Sequence, residues 1–216
     1  MPVEHIRSQI EGDLFDYSQL MLALSDYRKP RDSVTALLRN GHIIRIRKGL
    51  YIFSPLWRRK ILALEPIANL VYGPSAISLE YALSWYGLIP ERVRTITSIT
   101  TGRSHEFFTP AGNFTYTHLS VESFSSGLMH HETSFGKFIM AGTLKALADK
   151  VWADKRFRPT SPASFGDYLF SDLRIEEEAL ANQISYDTMQ FLGKVYSSRK
   201  IFWLMEYLQK NFKSVI

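Results

Sequence analysis

The chain has 216 residues, of which 45% are hydrophobic and 13% aromatic, and it contains no cysteine. This composition is sufficient for packed cores in one or two domains, and it excludes disulfides, thiol catalysis and thiolate metal sites. There is no run of about 18 apolar residues, and the first twenty residues carry four acids and no apolar block. We therefore predict a cytoplasmic protein with no membrane contact and no secretory signal.

The positive charge is concentrated near the start of the chain. The formal net charge is +5, and residues 1–60 hold eleven lysines and arginines against six acids, whereas the remainder holds fifteen of each sign. Residues 31–60 alone carry eight basic residues and one acid. Localised positive charge is typical of proteins that bind nucleic acids, because neutralising phosphates releases counterions.

The pattern of residues 1–60 predicts a winged helix-turn-helix. In that arrangement the last helix enters the major groove of DNA, and the hairpin lies along the backbone or reaches the minor groove. The expected elements are a helix over 3–12, an extended link at 14–15, a helix from Asp16 or Ser18 to about 26, a turn over 27–33, a helix around 31–39 and a hairpin from 44 to 53.

The predicted DNA contacts lie on the third helix and the hairpin. Val34, Leu37 and Leu38 share the buried face of the helix, while alternation of isoleucine and arginine predicts a half-buried strand after it. The expected contacts are Arg31, Ser33, Thr35 and Arg39 in the major groove, and Arg45, Arg47 and Lys48 on the backbone or minor groove. The basic tract 57–60 is either a solvated linker or a further source of phosphate contacts.

Residues 61–216 are predicted to form a mixed α/β domain with a small β-sheet and a C-terminal run of helices. The fold class is therefore α+β, in two domains, 1–60 and 61–216. The expected elements are helices at 65–72 and 76–86, strands at 95–101, 105–109, 113–119 and 135–141, an irregular loop at 120–134, and helices at 143–155, 163–170, 176–182, 185–195 and 198–212.

Three polar groups resemble parts of catalytic or metal sites. His130-His131-Glu132 has metal-binding side chains, but adjacent residues of a strand point apart. Glu80 in an apolar helix needs a partner, for which Arg103 is a candidate. Asp149-Lys150 has the residue types of a nuclease, yet adjacent helical positions do not converge. We predict no enzyme activity, no metal and no cofactor.

Several segments together resemble one known family. They are Arg39–Tyr51, Tyr72–Leu83, Tyr86–Glu91 and Ser98–Arg103, extended by Phe107–Pro110, Leu147–Asp149 and Ser171–Ile175. These residues resemble the AbiEi-type antitoxins of type IV bacterial toxin–antitoxin systems over nearly the whole chain. The match departs at Ala141–Leu147, where the family commonly reads Ala-Thr-Pro-Glu-Lys-Ala-Leu and this chain reads Ala-Gly-Thr-Leu-Lys-Ala-Leu.

The resemblance implies an N-terminal winged helix that represses its own operon at inverted repeats in double-stranded DNA. It also implies a C-terminal domain that antagonises a nucleotidyltransferase-like toxin, and it carries only the helix at 31–39 and the wing at 45–48 over as DNA readers. Two other functions stay open. One is a stand-alone winged-helix regulator with a ligand-sensing or oligomerising C-terminal domain, and the other is a metal-dependent nuclease.

Overall fold

The computed structural model describes residues 2–212 of the chain. These residues form eleven α-helices and two β-sheets, one of three strands and one of six. The α+β fold class is confirmed. No helix within residues 2–212 is long and apolar enough to cross a lipid bilayer. Below, residues 2–60 are called the amino-terminal unit and residues 61–212 the carboxy-terminal unit.

The amino-terminal unit consists of three helices and a three-stranded antiparallel sheet. Its elements follow the order predicted from the sequence, and β3 lies between β1 and β2. The bounds are α1 Pro2–Gln9, β1 Leu14–Asp16, α2 Tyr17–Ala23, α3 Pro30–Arg39, β2 Ile43–Arg47 and β3 Leu50–Phe53.

Local side-chain chemistry explains where the helices of this unit begin and end. The Asp16 carboxylate accepts a hydrogen bond from the Gln19 backbone N–H at 2.8 Å, and the Gln19 side chain accepts one from the Asp16 N–H at 2.9 Å. This reciprocal pair is a capping box, which fixes the start of α2. Pro30 opens α3, and Gly41, at φ +67°, follows its end in the left-handed region that favours glycine.

The carboxy-terminal unit is built on a six-stranded mixed sheet with the strand order β6-β7-β5-β4-β9-β8. A 3₁₀ turn at Pro162–Ser164 and a π-helical turn at Tyr168–Asp172 flank the short helix α8. The bounds are α4 Glu65–Val71, β4 Ser75–Ile77, α5 Leu79–Trp85, β5 Ile96–Thr100, β6 His105–Thr109, β7 Gly112–His118, α6 Val121–Ser125, β8 Leu128–Glu132, β9 Lys137–Ala141, α7 Thr143–Ala153, α8 Phe165–Asp167, α9 Glu177–Ala181, α10 Tyr186–Val195 and α11 Arg199–Asn211.

Two sequence predictions for this unit are wrong. The helix expected over 76–86 begins at Leu79, because residues 75–77 form the strand β4, which pairs with both β5 and β9. The loop expected over 120–134 contains α6 and the strand β8, which pairs with β9. Both segments are short, and tertiary pairing overrides local pattern in segments of that length.

The hairpin of β2 and β3 lies between two hydrophobic cores. Ile43, Tyr51 and Phe53 belong to the core of the amino-terminal unit, whereas Ile46, Leu50 and Ile52 belong to the larger core of the carboxy-terminal unit. All four residues of β3 are buried as a result. The domain boundary expected after residue 60 stays a prediction, but the larger core takes in three side chains that precede it.

A β-bulge in the hairpin separates two arginines that the sequence places on one face. Arg45 pairs with Tyr51, and after a register shift Arg47 pairs with Leu50. Because cross-strand partners point to the same face of a sheet, Arg45 lies on the side of Tyr51 and Arg47 on the side of Leu50. The strict alternation predicted for this strand is therefore wrong at Arg47, which faces the carboxy-terminal unit.

Candidate nucleic-acid interface

Three of the four predicted contacts on α3 share its exposed side. Arg31, Thr35 and Arg39 are spaced four residues apart, which places them in one row along the helix, and all three are exposed. Val34 and Leu37 are buried on the opposite side, 7% and 2% exposed, and hold the helix against the amino-terminal core. The helix thus presents two guanidinium groups and one hydroxyl to solvent.

Ser33 lies apart from this row. It is half-buried, and a position two residues from Arg31 and from Thr35 points to nearly the opposite side of a helix. Its hydroxyl donates to the Lys29 carbonyl at 3.2 Å. We therefore leave Ser33 out of the interface proposed below, because the row formed by Arg31, Thr35 and Arg39 faces away from it.

An acid interrupts the positive charge of α3. The Asp32 carboxylate lies 3.9 Å from the Lys29 ammonium group, and both side chains are 74% exposed. An exposed pair at this distance contributes little to stability. Near a phosphate backbone, however, Asp32 adds a repulsive charge beside Arg31.

We expect the substitution Asp32→Asn to strengthen binding to double-stranded DNA by up to about fivefold, since surface charge interactions are worth up to about 1 kcal/mol. Fluorescence anisotropy at low salt measures this, and the gain should shrink as salt screens the charge. Glu122→Gln is the matched control, because it likewise exchanges a carboxylate for an amide of the same length, on the exposed first turn of α6 in the carboxy-terminal unit. Equal gains in both variants would mean that Asp32 has no special position.

All three predicted cations of the hairpin, Arg45, Arg47 and Lys48, are exposed, but Arg47 differs from the other two in its contacts. Within residues 2–212, the side chains of Arg45 and Lys48 have no hydrogen-bond or ion-pair partner. Gly49, at φ +88°, allows the tight turn that connects β2 to β3. Lys48 stands at the tip of this turn. Arg45 and Lys48 therefore have the exposure that contact with a phosphate backbone requires.

Arg47 is exposed as a residue, but its guanidinium group contacts the carboxy-terminal unit. Its guanidinium donates a short hydrogen bond to the carbonyl oxygen of Val71, at the end of α4, and lies 5.9 Å from the centre of the Phe107 ring. These contacts follow from the bulge, which turns Arg47 towards the carboxy-terminal unit. A DNA contact for Arg47 stays a prediction, and its replacement would also loosen the junction between the two units.

The basic tract after the hairpin is held by a buried acid. The Asp13 carboxylate, 1% exposed, accepts hydrogen bonds from the backbone N–H groups of Arg59 at 3.1 Å and Lys60 at 2.9 Å. Arg7 donates to the same carboxylate at 2.9 Å, and the Arg59 guanidinium donates to the Arg7 carbonyl at 3.2 Å. The tract is therefore fixed against α1 and the loop that follows it.

The Arg7–Asp13 pair shows the electrostatic effect of this burial. Burial lowers the pKa of Arg7, the nearby Arg59 lowers it further, and Asp13 opposes both. The guanidinium also lies 4.2 Å from the centre of the Phe53 ring. Part of the basic charge counted in the sequence thus stabilises the fold, and we place the candidate interface at Arg31, Thr35, Arg39, Arg45 and Lys48.

A buried ionic cluster in the carboxy-terminal unit was missed in the sequence. The Lys145 ammonium group lies 2.5 Å from the Asp149 carboxylate and donates to the Tyr196 hydroxyl at 2.7 Å. The Tyr196 and Ser78 hydroxyls both donate to Asp149, the latter at 2.6 Å. The Lys145 and Asp149 side chains are 1% and 0% exposed.

Burial dominates the electrostatics of this cluster. It lowers the pKa of Lys145 and raises that of Asp149, while the attraction between the two opposes both shifts. Burial also raises the pKa of Tyr196, and Asp149 reinforces that effect. With no exposed reactive atom, the cluster has the character of a structural network that ties α7 to the start of α5 and the end of α10.

The remaining polar groups singled out in the sequence have separate partners. Glu80 binds Lys150 at 2.6 Å, so the partner proposed for it, Arg103, was wrong. His131 Nε2 lies 3.1 Å from the Tyr86 hydroxyl, and its ring stacks on Phe138 at a centroid distance of 5.5 Å. Within residues 2–212, no three His, Asp or Glu side chains converge as a metal ion would require.

Comparisons with known proteins add no assignment. No protein-family model matches the chain, and no curated protein matches it in sequence.

Proposed function

We propose that the protein binds double-stranded DNA through the exposed side of α3 and the tip of the β2–β3 hairpin, in the manner of a winged helix. The observation that carries this proposal is the row Arg31, Thr35 and Arg39 on a helix followed directly by a basic hairpin. The order helix, strand, helix, helix, hairpin supports it, because in helix-turn-helix proteins the last helix enters the major groove.

The proposed contacts divide by role. Arg31 and Arg39 read base edges, with arginine to guanine O6 and N7 as the expected pairing, and Thr35 lies between them. Arg45 and Lys48 contact phosphates and so fix the position of α3 in the groove. The Thr35 hydroxyl donates to the Arg31 carbonyl at 3.1 Å, which leaves its oxygen free to accept a hydrogen bond from a base.

The double variant Arg31→Ala, Arg39→Ala tests this proposal directly. We expect binding to the region upstream of the protein's own gene to weaken at least about tenfold, since each arginine–guanine pair is worth about 1–3 kcal/mol. Preference for that sequence over unrelated DNA should fall as well. Anisotropy titrations at several salt concentrations measure both quantities.

Two further variants separate base reading from phosphate contact. Lys48→Ala should weaken binding to all DNA sequences alike. It should also reduce the slope of log affinity against log salt concentration by about one. Arg158→Ala is the matched control, because Arg158 is an exposed arginine of the carboxy-terminal unit. Unchanged binding in the double variant, or an equal loss with Arg158→Ala, would count against the proposal.

We further propose that the protein acts as an autorepressor and as the antitoxin of a type IV toxin–antitoxin pair. This rests on the resemblance to AbiEi-type antitoxins, and the partner it implies is a nucleotidyltransferase-like toxin encoded next to this gene. Co-expression with the neighbouring gene product tests the proposal. Restored growth supports it, and persistent growth arrest in the presence of folded protein contradicts it.

A further inference from the structure

A cavity of about 690 Å³ opens between the six-stranded sheet and the end of α7. Its volume lies within the range of small-molecule sites. Ten of its thirteen lining residues carry polar side chains, and it lies in the carboxy-terminal unit, away from the row on α3. We call it the threonine cavity, after the four residues of its floor, Thr95, Thr97, Thr115 and Thr117.

The sheet register explains the floor. Thr97 of β5 pairs with Thr115 of β7, and Thr115 pairs in turn with Glu106 of β6. These three side chains therefore form one row on one face of the sheet, and Glu106 lies about 10 Å from Thr97, two strand spacings away. On the opposite face, Tyr116 donates to the Ala68 carbonyl at 2.7 Å. The floor is thus a hydroxyl-bearing surface, and its far side is fixed by packing.

One wall of the threonine cavity carries positive charge. Lys150, Lys155 and Arg156 line it, together with Glu80 and Asp154. These two carboxylates are occupied, whereas Glu106, the third carboxylate of the lining, lies on the floor beside Thr115. Glu80 binds Lys150 at 2.6 Å, and Asp154 accepts hydrogen bonds from the backbone N–H groups of Arg156 at 3.0 Å and Phe157 at 3.3 Å.

Lys155 and Arg156 keep donors for a ligand. One Lys155 N–H reaches the Trp152 carbonyl at 3.3 Å, which leaves two donors on that ammonium group. The Arg156 side chain is 95% exposed and lies 3.9 Å from Asp154, at the outer limit of an ion pair. Its planar guanidinium is suited to bind an oxyanion through two parallel hydrogen bonds.

A fourth cation lies directly behind this wall. The Lys200 ammonium group donates to the Asp154 carbonyl at 2.6 Å. Burial lowers the pKa of Lys200, Asp154 opposes that effect, and the nearby Lys155 and Lys150 lower the pKa further. Lys155 and Lys200 both bind carbonyls at the end of α7, where cations are favourable. The positive charges of Lys150, Lys155 and Lys200 therefore repel one another at the end of α7, and a bound anion would reduce this repulsion.

We propose that the threonine cavity binds a small organic phosphate. Its phosphate group lies against Lys155 and Arg156, and its hydroxyl-bearing body lies over Thr115 and Thr117. Phosphate is favoured over a carboxylate because its three terminal oxygens match two cations and neighbouring hydroxyl donors. The proposal is independent of DNA binding, since it concerns a different surface and different residues.

NMR titration of the ¹⁵N-labelled full chain with ribose 5-phosphate tests the proposal. We expect saturable shifts of the Thr115, Thr117 and Arg156 amides, and no such shifts with ribose alone. Shifts confined to the basic residues of α3, or absent altogether, would overturn the proposal. The readout is resolved by residue, so phosphate binding at the proposed DNA interface is distinguished from binding in the cavity.

Three variants sharpen this test. Arg156→Gln should weaken binding of ribose 5-phosphate about tenfold, because it removes the charged hydrogen-bond donors that face the phosphate. Arg158→Gln removes the same charge two residues away and should leave binding unchanged. Thr115→Val keeps the shape of the side chain. It should weaken the binding of ribose 5-phosphate several-fold but leave the binding of inorganic phosphate unchanged. Equal losses for Arg156→Gln and Arg158→Gln, or no loss for Thr115→Val, would contradict the assigned site.

Discussion

Replacing Asp149 with alanine is expected to lower the free energy of unfolding by about 3–5 kcal/mol, because it leaves the Lys145 ammonium group buried without its carboxylate. Tyr196 and Ser78 also lose their shared acceptor in this variant. Urea denaturation followed by far-UV circular dichroism measures the loss. A change below about 1 kcal/mol would show that the cluster is hydrated or open in solution.

A double variant distinguishes the lost pairing from a general loss of packing. Lys145→Met with Asp149→Asn removes both charges, keeps similar volumes, and retains an acceptor for Tyr196 and a donor for Ser78. We expect it to recover most of the stability lost in Asp149→Ala, since well-packed neutral residues often replace a buried ion pair without cost. If the double variant is as unstable as Asp149→Ala, the intact ion pair itself stabilises the fold, and an unpaired Lys145 charge does not account for the loss.

The pH dependence of Asp149→Asn gives a second, independent check. Burial already lowers the pKa of Lys145, and removing the charge of Asp149 removes the attraction that opposes this shift. The folded state then binds fewer protons than the unfolded chain up to the ordinary lysine pKa of about 10.4. Stability of this variant should therefore rise with pH up to about pH 10, more steeply than that of the natural protein.

The cluster around Asp149 shows why part of the structure could not be predicted from the sequence. Lys145 and Asp149 are one helical turn apart and could have been paired from their spacing. Ser78 and Tyr196 are distant in the chain, so only the packing of α5 and α10 against α7 places them at the same carboxylate. In the sequence, Asp149 stands beside Lys150 and resembles part of a nuclease site, but Lys150 binds Glu80.

The amino-terminal unit was more predictable because its signals are local. Helix caps, the glycine after α3 and the spacing of Val34 and Leu37 are all read within a few residues. The bulge at Arg45 and Arg47 left no such signal, since the alternation of isoleucine and arginine continues unbroken through it. The apolar pattern of the hairpin likewise did not indicate that Ile46, Leu50 and Ile52 would pack in the core of the carboxy-terminal unit.

Replacing Ile52 with alanine should destabilise the whole protein by about 2–5 kcal/mol, although Ile52 belongs to the predicted DNA-binding unit. Ile52 is 1% exposed and packs in the core of the carboxy-terminal unit, while its neighbours Tyr51 and Phe53 pack in the other core. A cavity at Ile52 therefore loosens the strand on which both cores depend. Calorimetry should show one unfolding transition, moved to lower temperature as a whole.

The matched control for Ile52 is Leu56→Ala, which removes a similar side chain at a position 89% exposed and should change stability by less than about 0.5 kcal/mol. Two separate transitions, of which Ile52→Ala shifts only one, would show that the units fold independently. A single shifted transition means that the hairpin is a shared element. The row on α3 would then be held in place by both cores, and residues 1–60 alone would expose Ile46, Leu50 and Ile52 to water.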